Sequence, residues 1–489
     1  MGKICGIALP LLSVILFGCA THTSETESAR KSWAVGNALQ AEAQLSEIAL
    51  EKADSGDELV WLLEEGAASR AGGNLKKSVD VFNKAYSIIC EYENEPETRL
   101  SEEAAAFFTN QSYIPYKGYH YDKIMLCVYQ SLNYIELKDF EKASVELKRM
   151  SNFQAEAASK NAERIEKREA AFRDAQKKDK NAGYDASKTL SNPFVQAELQ
   201  KCYGANFMSG NSFQRARGIY VNPFGYWLGG VYFAATAQDA SDKEQAASLF
   251  RICSDMLANS SDVLARDCLA SESFASGKSQ EFGNITYVVY ETGMAPIRKQ
   301  IRIDLPLFIV AKNVPHVAVN FPYLSKQNSY KPDINVVAAG SKLKFDTISN
   351  IDEIIQEEFD IELPYVITKT VLSAAAKATA QYFAAQSAGD FGIFVNIGMG
   401  IYQSLMNDAD LRTWTTLPKE IKVARIETPS DSKLLLEGKS IDLNPKGVNI
   451  VYVKSMSASG AIIVRKFDFS KEAFKPAHLI AEKDGGGSK

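Results

Sequence analysis

Cysteine and histidine are the side chains that most often carry metal or thiol chemistry, and this sequence spaces them widely. Its 489 residues include seven cysteines and four histidines. The cysteines after Cys19 show neither CxxC nor CxxH spacing, so we expect no metal site. Their odd number leaves at least one unpaired thiol if the others form disulfides. We expect Cys253 and Cys268 to be the closest pair; the full set is Cys90, Cys127, Cys202, Cys253 and Cys268.

Catalytic motifs are the next signal, and the common ones do not occur. The sequence contains no HExxH, no GxSxG, no Walker glycine loop and no GxGxxG after a predicted strand. The adjacent carboxylates Glu357 and Glu358 fall on the surface of a predicted helix. The scattered histidines fit structural or exposed positions; they are His22, His120, His316 and His478. We therefore predict no catalytic residue and no cofactor, and favour a protein that is not an enzyme.

An arginine close to an aspartate and a tryptophan could form a recognition site. Arginine binds carboxylate or phosphate groups through two parallel hydrogen bonds. Asp410, Arg412 and Trp414 have the residue types for this. The alternative is an ion pair that fixes the crossing from a helix to a strand, with the tryptophan in the core, and we favour that structural role.

A tyrosine-rich loop, SYIPYKGYHY, gives a second candidate for recognition. Exposed aromatic side chains could form a contact surface for a partner. The same side chains could instead pin the loop to neighbouring helices, which is the more common use of such tyrosines. With the pair above, the candidate interaction residues are Tyr113, Tyr116, Tyr119, Tyr121, Arg412 and Trp414.

Residues 1–18 have the pattern of a secretory signal. Lys3 precedes an apolar run from Ile7 to Phe17, which is too short to span a bilayer as a helix. The run leads into Leu16-Phe17-Gly18-Cys19, which resembles the bacterial lipobox, with Phe17 in place of the usual small residue. The resemblance implies that the Cys19 thiol carries a diacylglycerol and that its amine, freed by cleavage, is acylated with a fatty acid such as palmitate. Several acyl chains together anchor a protein firmly to a membrane.

The residue that follows Cys19 also predicts the cellular location of the protein. Ala20 follows Cys19 where an aspartate would suggest retention at the inner membrane, so we predict the periplasmic face of the outer membrane. A cleaved signal with a chance cysteine is the alternative. Residues 19–30 are small and polar, and their composition is typical of a flexible tether.

Residues 31–275 predict a domain of helical hairpins. Residues 121–150 read as two amphipathic helices joined by a turn at Lys138-Asp139-Phe140. Packing triplets at i, i+4 and i+7 recur near two and three periods of about 34 residues. Their residues are Ser78, Phe82 and Ala85; Ala143, Leu147 and Met150; and Ala246, Phe250 and Cys253. This resembles tetratricopeptide-type (TPR-like) repeats, with Gly66, Gly73, Leu75 and Phe82 in matching places, and implies an α-solenoid. An ordinary helical domain is the alternative.

Residues 283–470 change to the two-residue period of strands, as in the alternating RKQIRID. Two helices are predicted within this part, Ile351–Glu358 and Tyr365–Gln386. The apolar run at 391–406 is short for a membrane span, so we favour a buried helix there. The fold class is thus multidomain: a helical-hairpin solenoid followed by a mixed α+β domain, with a tail at 471–489.

Several strings of this chain are similar to those of an uncharacterised family of bacterial lipoproteins with TPR-like repeats. They are GYHYDKIML, NYIELKDFEKASVELKR, NPFGYWLGGVYFAA, TYVVYETGMAPIRKQIRIDLP and DADLRTWTTLPKEIKVARI. Relatives in that family are associated with other small envelope lipoproteins, including ones that resemble activators of peptidoglycan synthases. The resemblance implies kinship and suggests partners, but no chemical activity.

The expected function is that of a lipid-anchored envelope scaffold that binds partner proteins through the helical repeats. The alternative is a lipoprotein whose C-terminal domain binds a cell-wall glycan or another ligand through Arg412 and Trp414, with a possible role in regulating peptidoglycan synthesis; a cell-wall hydrolase is a third hypothesis. The formal net charge of −5 argues against a nucleic-acid partner.

Overall fold

The computed structural model describes residues 21–94, 114–159, 186–204, 222–305, 317–387, 409–470 and 479–481. Helices dominate its N-terminal part and strands its C-terminal part, which confirms the mixed helical and sheet class. The N-terminal helices are α1 (His22–Glu25), α2 (Glu27–Ala34), α3 (Ala38–Glu51), α4 (Glu58–Gly72), α5 (Leu75–Asn94), α6 (His120–Glu136), α7 (140–159), α8 (Ala186–Leu190), α9 (Pro193–Tyr203), α10 (Pro223–Thr236), α11 (Ala240–Met256) and α12 (Asp262–Ala275).

Polar residues and glycine set where these helices begin and end. The Asn222 side chain accepts a hydrogen bond from the backbone of Phe224, and Pro223 occupies the first turn of α10, where its missing N–H costs nothing. Asp239 caps α11 and Ser261 caps α12 in the same way. Gly73 ends α4 with a φ of 91°, a conformation that favours glycine. The hairpin turns therefore follow from local chemistry.

Three helical hairpins, α4–α5, α6–α7 and α10–α11, form a layer. Every residue of the three predicted packing triplets is buried, which confirms their packing role. In the first hairpin, a Cβ added at Gly66 would come within 2.5 Å of Phe82. In the third, a Cβ at Gly230 would come within 2.8 Å of Phe250. Each glycine thus lets a phenylalanine of the second helix pack directly against the backbone of the first helix.

The strands form two stacked sheets and a ribbon. The main sheet has the order β12-β11-β10-β1-β7-β6, with β1 and β10 parallel and the other neighbours antiparallel. A four-stranded sheet has the order β5-β4-β8-β9, and β2 pairs with β3. The strands are β1 (Ile285–Thr292), β2 (Ile297–Leu305), β3 (Val317–Ser325), β4 (Val336–Ala338), β5 (Ser341–Lys342), β6 (Asp346–Asn350), β7 (Glu420–Glu427), β8 (Lys433–Leu436), β9 (Lys439–Asp442), β10 (Val448–Ser455), β11 (Ile462–Asp468) and β12 (Leu479–Ala481).

The two faces of the main sheet bury different cores, which produces three layers. Tyr287 and Val289 of β1 join the core that contains the helices. Their neighbours Val288 and Tyr290 join the core beneath the four-stranded sheet. This alternation is the two-residue period of a strand, and both faces are covered, so all of β1 is buried. The helical part and the main sheet therefore share one hydrophobic core across the predicted boundary at 275–283.

The β2–β3 ribbon packs with a long helix, α13 (Ile351–Ser387), and with α8 and α9 in a separate core. The prediction of two helices here is wrong, because α13 continues through Pro364. Proline removes one backbone hydrogen bond, but the buried Leu363 and Ile367 tie this turn to the ribbon core. The predicted helix at 391–406 lies outside the described residues. None of the helices in the described ranges combines the length and apolar character that crossing a membrane requires.

The predicted flexible tether at 19–30 is wrong over its described part, residues 21–30. These residues form α1 and the start of α2, and His22, Thr26 and Ala29 are buried. Thr23 donates a hydrogen bond to the Arg298 carbonyl at 2.7 Å, and Lys52 pairs with Glu25 at 2.7 Å. The predicted tail at 471–489 also contributes strand β12, which pairs with β11.

Candidate functional site

A segment without helix or strand, residues 409–417, is inserted between α4, α5 and α6. Apart from Asp410, every residue of the segment is buried. It includes two of the candidate interaction residues, Arg412 and Trp414. The segment occupies the inner side of the first two hairpins, which is the side that also faces the main sheet.

Trp414 anchors the 409–417 segment. It is 0% exposed, and its ring meets Phe82 of α5 and Tyr129 of α6 edge to face, with ring centroids 6.0 and 5.8 Å apart. Its indole Nε1 donates to the Thr416 hydroxyl at 2.8 Å, so the polar end of the ring is satisfied inside the segment. This geometry matches the structural role that the sequence favoured, with the tryptophan in the core.

Glu64 of α4 holds the same segment by its backbone. The fully buried carboxylate accepts hydrogen bonds from the N–H groups of Thr415 and Thr416, at 2.5 and 3.0 Å, and from the Thr415 hydroxyl at 2.7 Å. Burial raises the pKa of Glu64, and these donors oppose that shift. His22 packs on Trp61 beside this carboxylate, and burial lowers the pKa of the imidazole to about 3. His22 is therefore neutral, and it fills the space beside Glu64 without adding a charge.

Arg412 is fully engaged in pairs within the chain. Its guanidinium makes a two-point pair with Asp410, at 2.9 and 2.7 Å, and a third bond to Asp57 at 2.7 Å. Burial alone would raise the pKa of Asp410, but the pair with Arg412 brings it below its usual value. The fork that could recognise an external carboxylate or phosphate is thus occupied by the protein's own carboxylates.

The tyrosine-rich loop and the 409–417 segment meet at one place. Tyr116 lies under the Arg412 guanidinium, and the Tyr121 hydroxyl lies 3.3 Å from the Thr413 hydroxyl. Tyr119 stacks on Tyr121 and carries the Arg298 guanidinium 4.5 Å above its ring. Tyr113 lies outside the described residues. The sequence thus selected residues that do come together, but Tyr116, Tyr121, Arg412 and Trp414 are buried and form an internal joint instead of an exposed surface.

A cleft of about 360 Å³ opens beside this joint. Its lining mixes cations and carboxylates, including Lys123, Lys369, Glu362 and Asp410. Glu358 also lines it and is buried, so the predicted placement of that carboxylate on a helix surface is wrong. His120 lies at the same cleft, whereas His316 and His478 fall outside the described residues. The mixed charge gives this cleft no preference for one class of ligand.

Asp122, behind the joint, should make folding stability depend on pH. Burial raises its pKa to about 7, against hydrogen bonds from the Tyr116 hydroxyl and the Tyr119 N–H. A carboxyl whose pKa is raised by folding contributes stability that is full below its unfolded pKa near 4 and is lost as pH rises through the folded value. We therefore expect Asp122→Asn to become more stable relative to wild type from pH 4 to pH 8, by up to about 4 kcal/mol.

Urea unfolding midpoints of the two proteins across this range measure the effect. Only the difference between them is informative, because His22, with its lowered pKa, changes wild-type stability in the opposite direction with pH. A constant difference would show that Asp122 is ionised throughout.

The five described cysteines are all free thiols, so the predicted proximity of Cys253 and Cys268 does not produce a disulfide. Cys127 and Cys253 are buried, whereas Cys90 is partly exposed. Burial raises the pKa of both buried thiols, which disfavours their reactive thiolate form. Within the described ranges, no group of three or more metal-ligating side chains is assembled.

A second cleft, of about 610 Å³, lies between the turn of the first hairpin, the end of α6 and strand β11. We call it the basic cleft, because five cations line it with a single carboxylate, Glu136; the cations are Lys76, Lys77, Lys138, Arg465 and Lys466. The sequence analysis missed this cleft. Its residues come from three distant stretches, and two adjacent lysines in one helix gave the only local hint.

No family model, no curated protein and no solved structure matches this chain.

Proposed function

We propose that this protein is a lipid-anchored envelope scaffold that binds partner proteins through a TPR-like array of helical hairpins. The observation that carries the proposal is the layer of three hairpins, two of which share a glycine–phenylalanine contact between their paired helices. Recurrent packing of this kind is typical of repeat arrays, whose extended surfaces bind other proteins. The resemblance to bacterial lipoproteins supports the same function.

The inner side of the hairpins is already occupied in this chain. The 409–417 segment and the main sheet cover α4, α6 and α10, which are buried along almost their whole length. The proposed partner surface is therefore the outer side, formed by α5, α7 and α11. Val145 of α7 is 45% exposed and Ile252 of α11 is 40% exposed, and both supply apolar contact area there.

The proposed anchor would hold the folded body against the membrane. Cys19 lies three residues before His22, which is packed against Trp61. Three residues reach at most about 10 Å even when fully extended. A lipid on Cys19 would thus keep α1 close to the lipid headgroups. It would also orient the molecule instead of letting it rotate on a long tether.

Metabolic labelling with a fatty acid tests the anchor. Cys19→Ser should abolish the label and release the protein from membranes in a high-salt wash. Cys5→Ser, which removes the cysteine within the proposed signal at residues 1–18, should retain both the label and the membrane association. A wild-type protein that carries no fatty acid and washes off with salt would refute the anchor.

Site-specific photo-crosslinking in the native cell tests the scaffold. A photoreactive residue at position 145 or 252 should give defined crosslinked proteins, because both positions lie on the proposed partner surface. Position 435 is the matched control: Leu435 is 44% exposed but belongs to the four-stranded sheet on the far side of the molecule. Equal products from all three positions, or none from 145 and 252, would contradict the proposal.

Ligand binding at the cell wall is the second candidate, and regulation of peptidoglycan synthesis would follow from it. Because Trp414 is buried, it cannot contact a cell-wall ligand as the sequence-based alternative expects. The basic cleft, to which β11 contributes, is the observation that keeps this candidate. Sedimentation with purified sacculi tests it, and the Lys76→Gln variant should sediment less than wild type if the cleft is responsible.

A further inference from the structure

We infer that the basic cleft binds a small anion that bears phosphate groups. This inference depends neither on the lipid anchor nor on the scaffold role. It rests on the convergence of cations from three separate parts of the fold around one open volume. That volume, about 610 Å³, falls within the range of small-molecule sites.

The lysines reach the cleft from two sides. Lys76 and Lys77 belong to the first turn of α5, where the positive end of the helix dipole adds to their charge. Lys138 follows the end of α6 with a φ of 63°, and Lys466 comes from β11. Charges that approach from a helix and from a sheet can surround an anion, which a run of lysines on one helix face cannot do.

The charge balance stays positive when the nearest partners are counted. Lys77 pairs with Glu42 and Glu65, at 3.2 and 3.1 Å, and Lys138 pairs with Asp468 at 2.6 Å. Arg70 pairs with Glu136 at 2.7 Å and so adds one more cation beside the cleft. With these groups included, and with Asp442, whose charge acts on Lys466, six cations face five carboxylates, in a chain whose net charge is −5. The cleft is therefore a local reversal of the overall charge, and it attracts anions that the rest of the surface repels.

Lys466 adds a further reason. Its ammonium donates to the Asp442 carbonyl at 2.6 Å, and partial burial lowers its pKa, although the nearby charges of Asp442 and Asp468 oppose that shift. A bound anion would restore the interaction energy that the lysine loses by leaving water. A bound anion would therefore lower the free-energy cost of holding the charged Lys466 ammonium in its partly buried position.

The kind of cation decides between phosphate and carboxylate. Arginine matches the planar carboxylate with its fork, but Arg465 already binds Glu136 at 2.6 Å. The other four cations are lysines. Lys77 and Lys138 also pair with carboxylates, but a lysine ammonium is a point charge with three donors, so it can keep such a partner and still meet a tetrahedral group. A phosphate-bearing ligand fits this arrangement better than a carboxylic acid does.

Isothermal titration of the full chain, as Cys19→Ser in detergent-free buffer, with inorganic pyrophosphate tests the inference. Pyrophosphate should bind, and the affinity should fall as salt is added. Lys76→Gln and Lys466→Gln should each weaken binding by about 3–10-fold, and together by about 10–100-fold, on the scale of surface charge–charge interactions. The control is Lys433→Gln, an exposed lysine of β8, which should leave the affinity unchanged. Unfolding midpoints of the variants establish that they remain folded.

Two further ligands complete the experiment. Succinate should bind at least tenfold more weakly than pyrophosphate, and equal affinity would overturn the assignment to phosphate. Soluble dihexanoyl phosphatidic acid presents the same group on a lipid, and binding tighter than that of pyrophosphate would identify a lipid headgroup as the source. If wild type bound neither phosphate compound at millimolar concentration, or if the double variant bound them as well as wild type, the inference would be wrong.

Discussion

Trp414→Ala should lower the free energy of unfolding by about 3–5 kcal/mol, the usual cost of removing a large aromatic side chain from a core. The ring fills the space between Phe82 and Tyr129, so its loss leaves a cavity where two hairpins and the 409–417 segment meet. The midpoint of urea unfolding, followed by far-ultraviolet circular dichroism, measures the effect.

Two variants separate this core role from a recognition role. Trp414→Phe keeps an aromatic ring in the same space but loses the hydrogen bond to Thr416, so its cost should be smaller than that of the alanine variant. Phe194→Ala removes an aromatic side chain that is 54% exposed, and it should change the midpoint little. If Trp414→Ala were as stable as wild type, the segment would not be held between the hairpins as described.

Periodicity predicted most of the secondary structure because burial here follows it closely. The two-residue alternation around RKQIRID corresponds to β2, and the i, i+4, i+7 triplets mark the buried sides of α5, α7 and α11. These signals are local, since each one depends on which side of a single element faces the core. An exception is α13, where the sequence predicts two helices, Ile351–Glu358 and Tyr365–Gln386, but a single helix packs against the ribbon.

Contacts between distant parts of the chain could not be predicted in the same way. The composition of residues 21–30 is that of a linker, and nothing local shows that His22 has a cavity beside Trp61 to fill. Likewise, the sequence marks Tyr116 and Arg412 as candidate interaction residues, but their contact joins residues that are far apart in sequence. The chemistry of the candidate residues was therefore visible in advance, whereas their mutual burial, which decides their role, required the three-dimensional arrangement.

Glu136→Gln should be the second severe change, costing about 3–5 kcal/mol at pH 7. The buried carboxylate at the end of α6 pairs with Arg70 at 2.7 Å and with Arg465 at 2.6 Å, and so it joins two helices to the main sheet. A glutamine of the same size cannot neutralise either guanidinium, and both would remain buried without a counter-charge. The urea midpoint of the full chain measures this loss as well.

The pH dependence of the same variant identifies charge as the cause. Burial alone would raise the pKa of Glu136, but Arg70 and Arg465 lower it below its usual value. A carboxylate with a lowered pKa contributes stability that is present above its unfolded pKa of about 4.5 and is lost as pH falls through the folded value. The gap between wild type and Glu136→Gln should therefore be widest at neutral pH and should narrow below about pH 4. Glu27→Gln, which breaks an exposed pair with Lys31, should leave the neutral midpoint unchanged. A Glu136→Gln deficit of the same size at pH 7 and pH 3 would mean that packing, and not the ion pairs, joins α6 to the sheet.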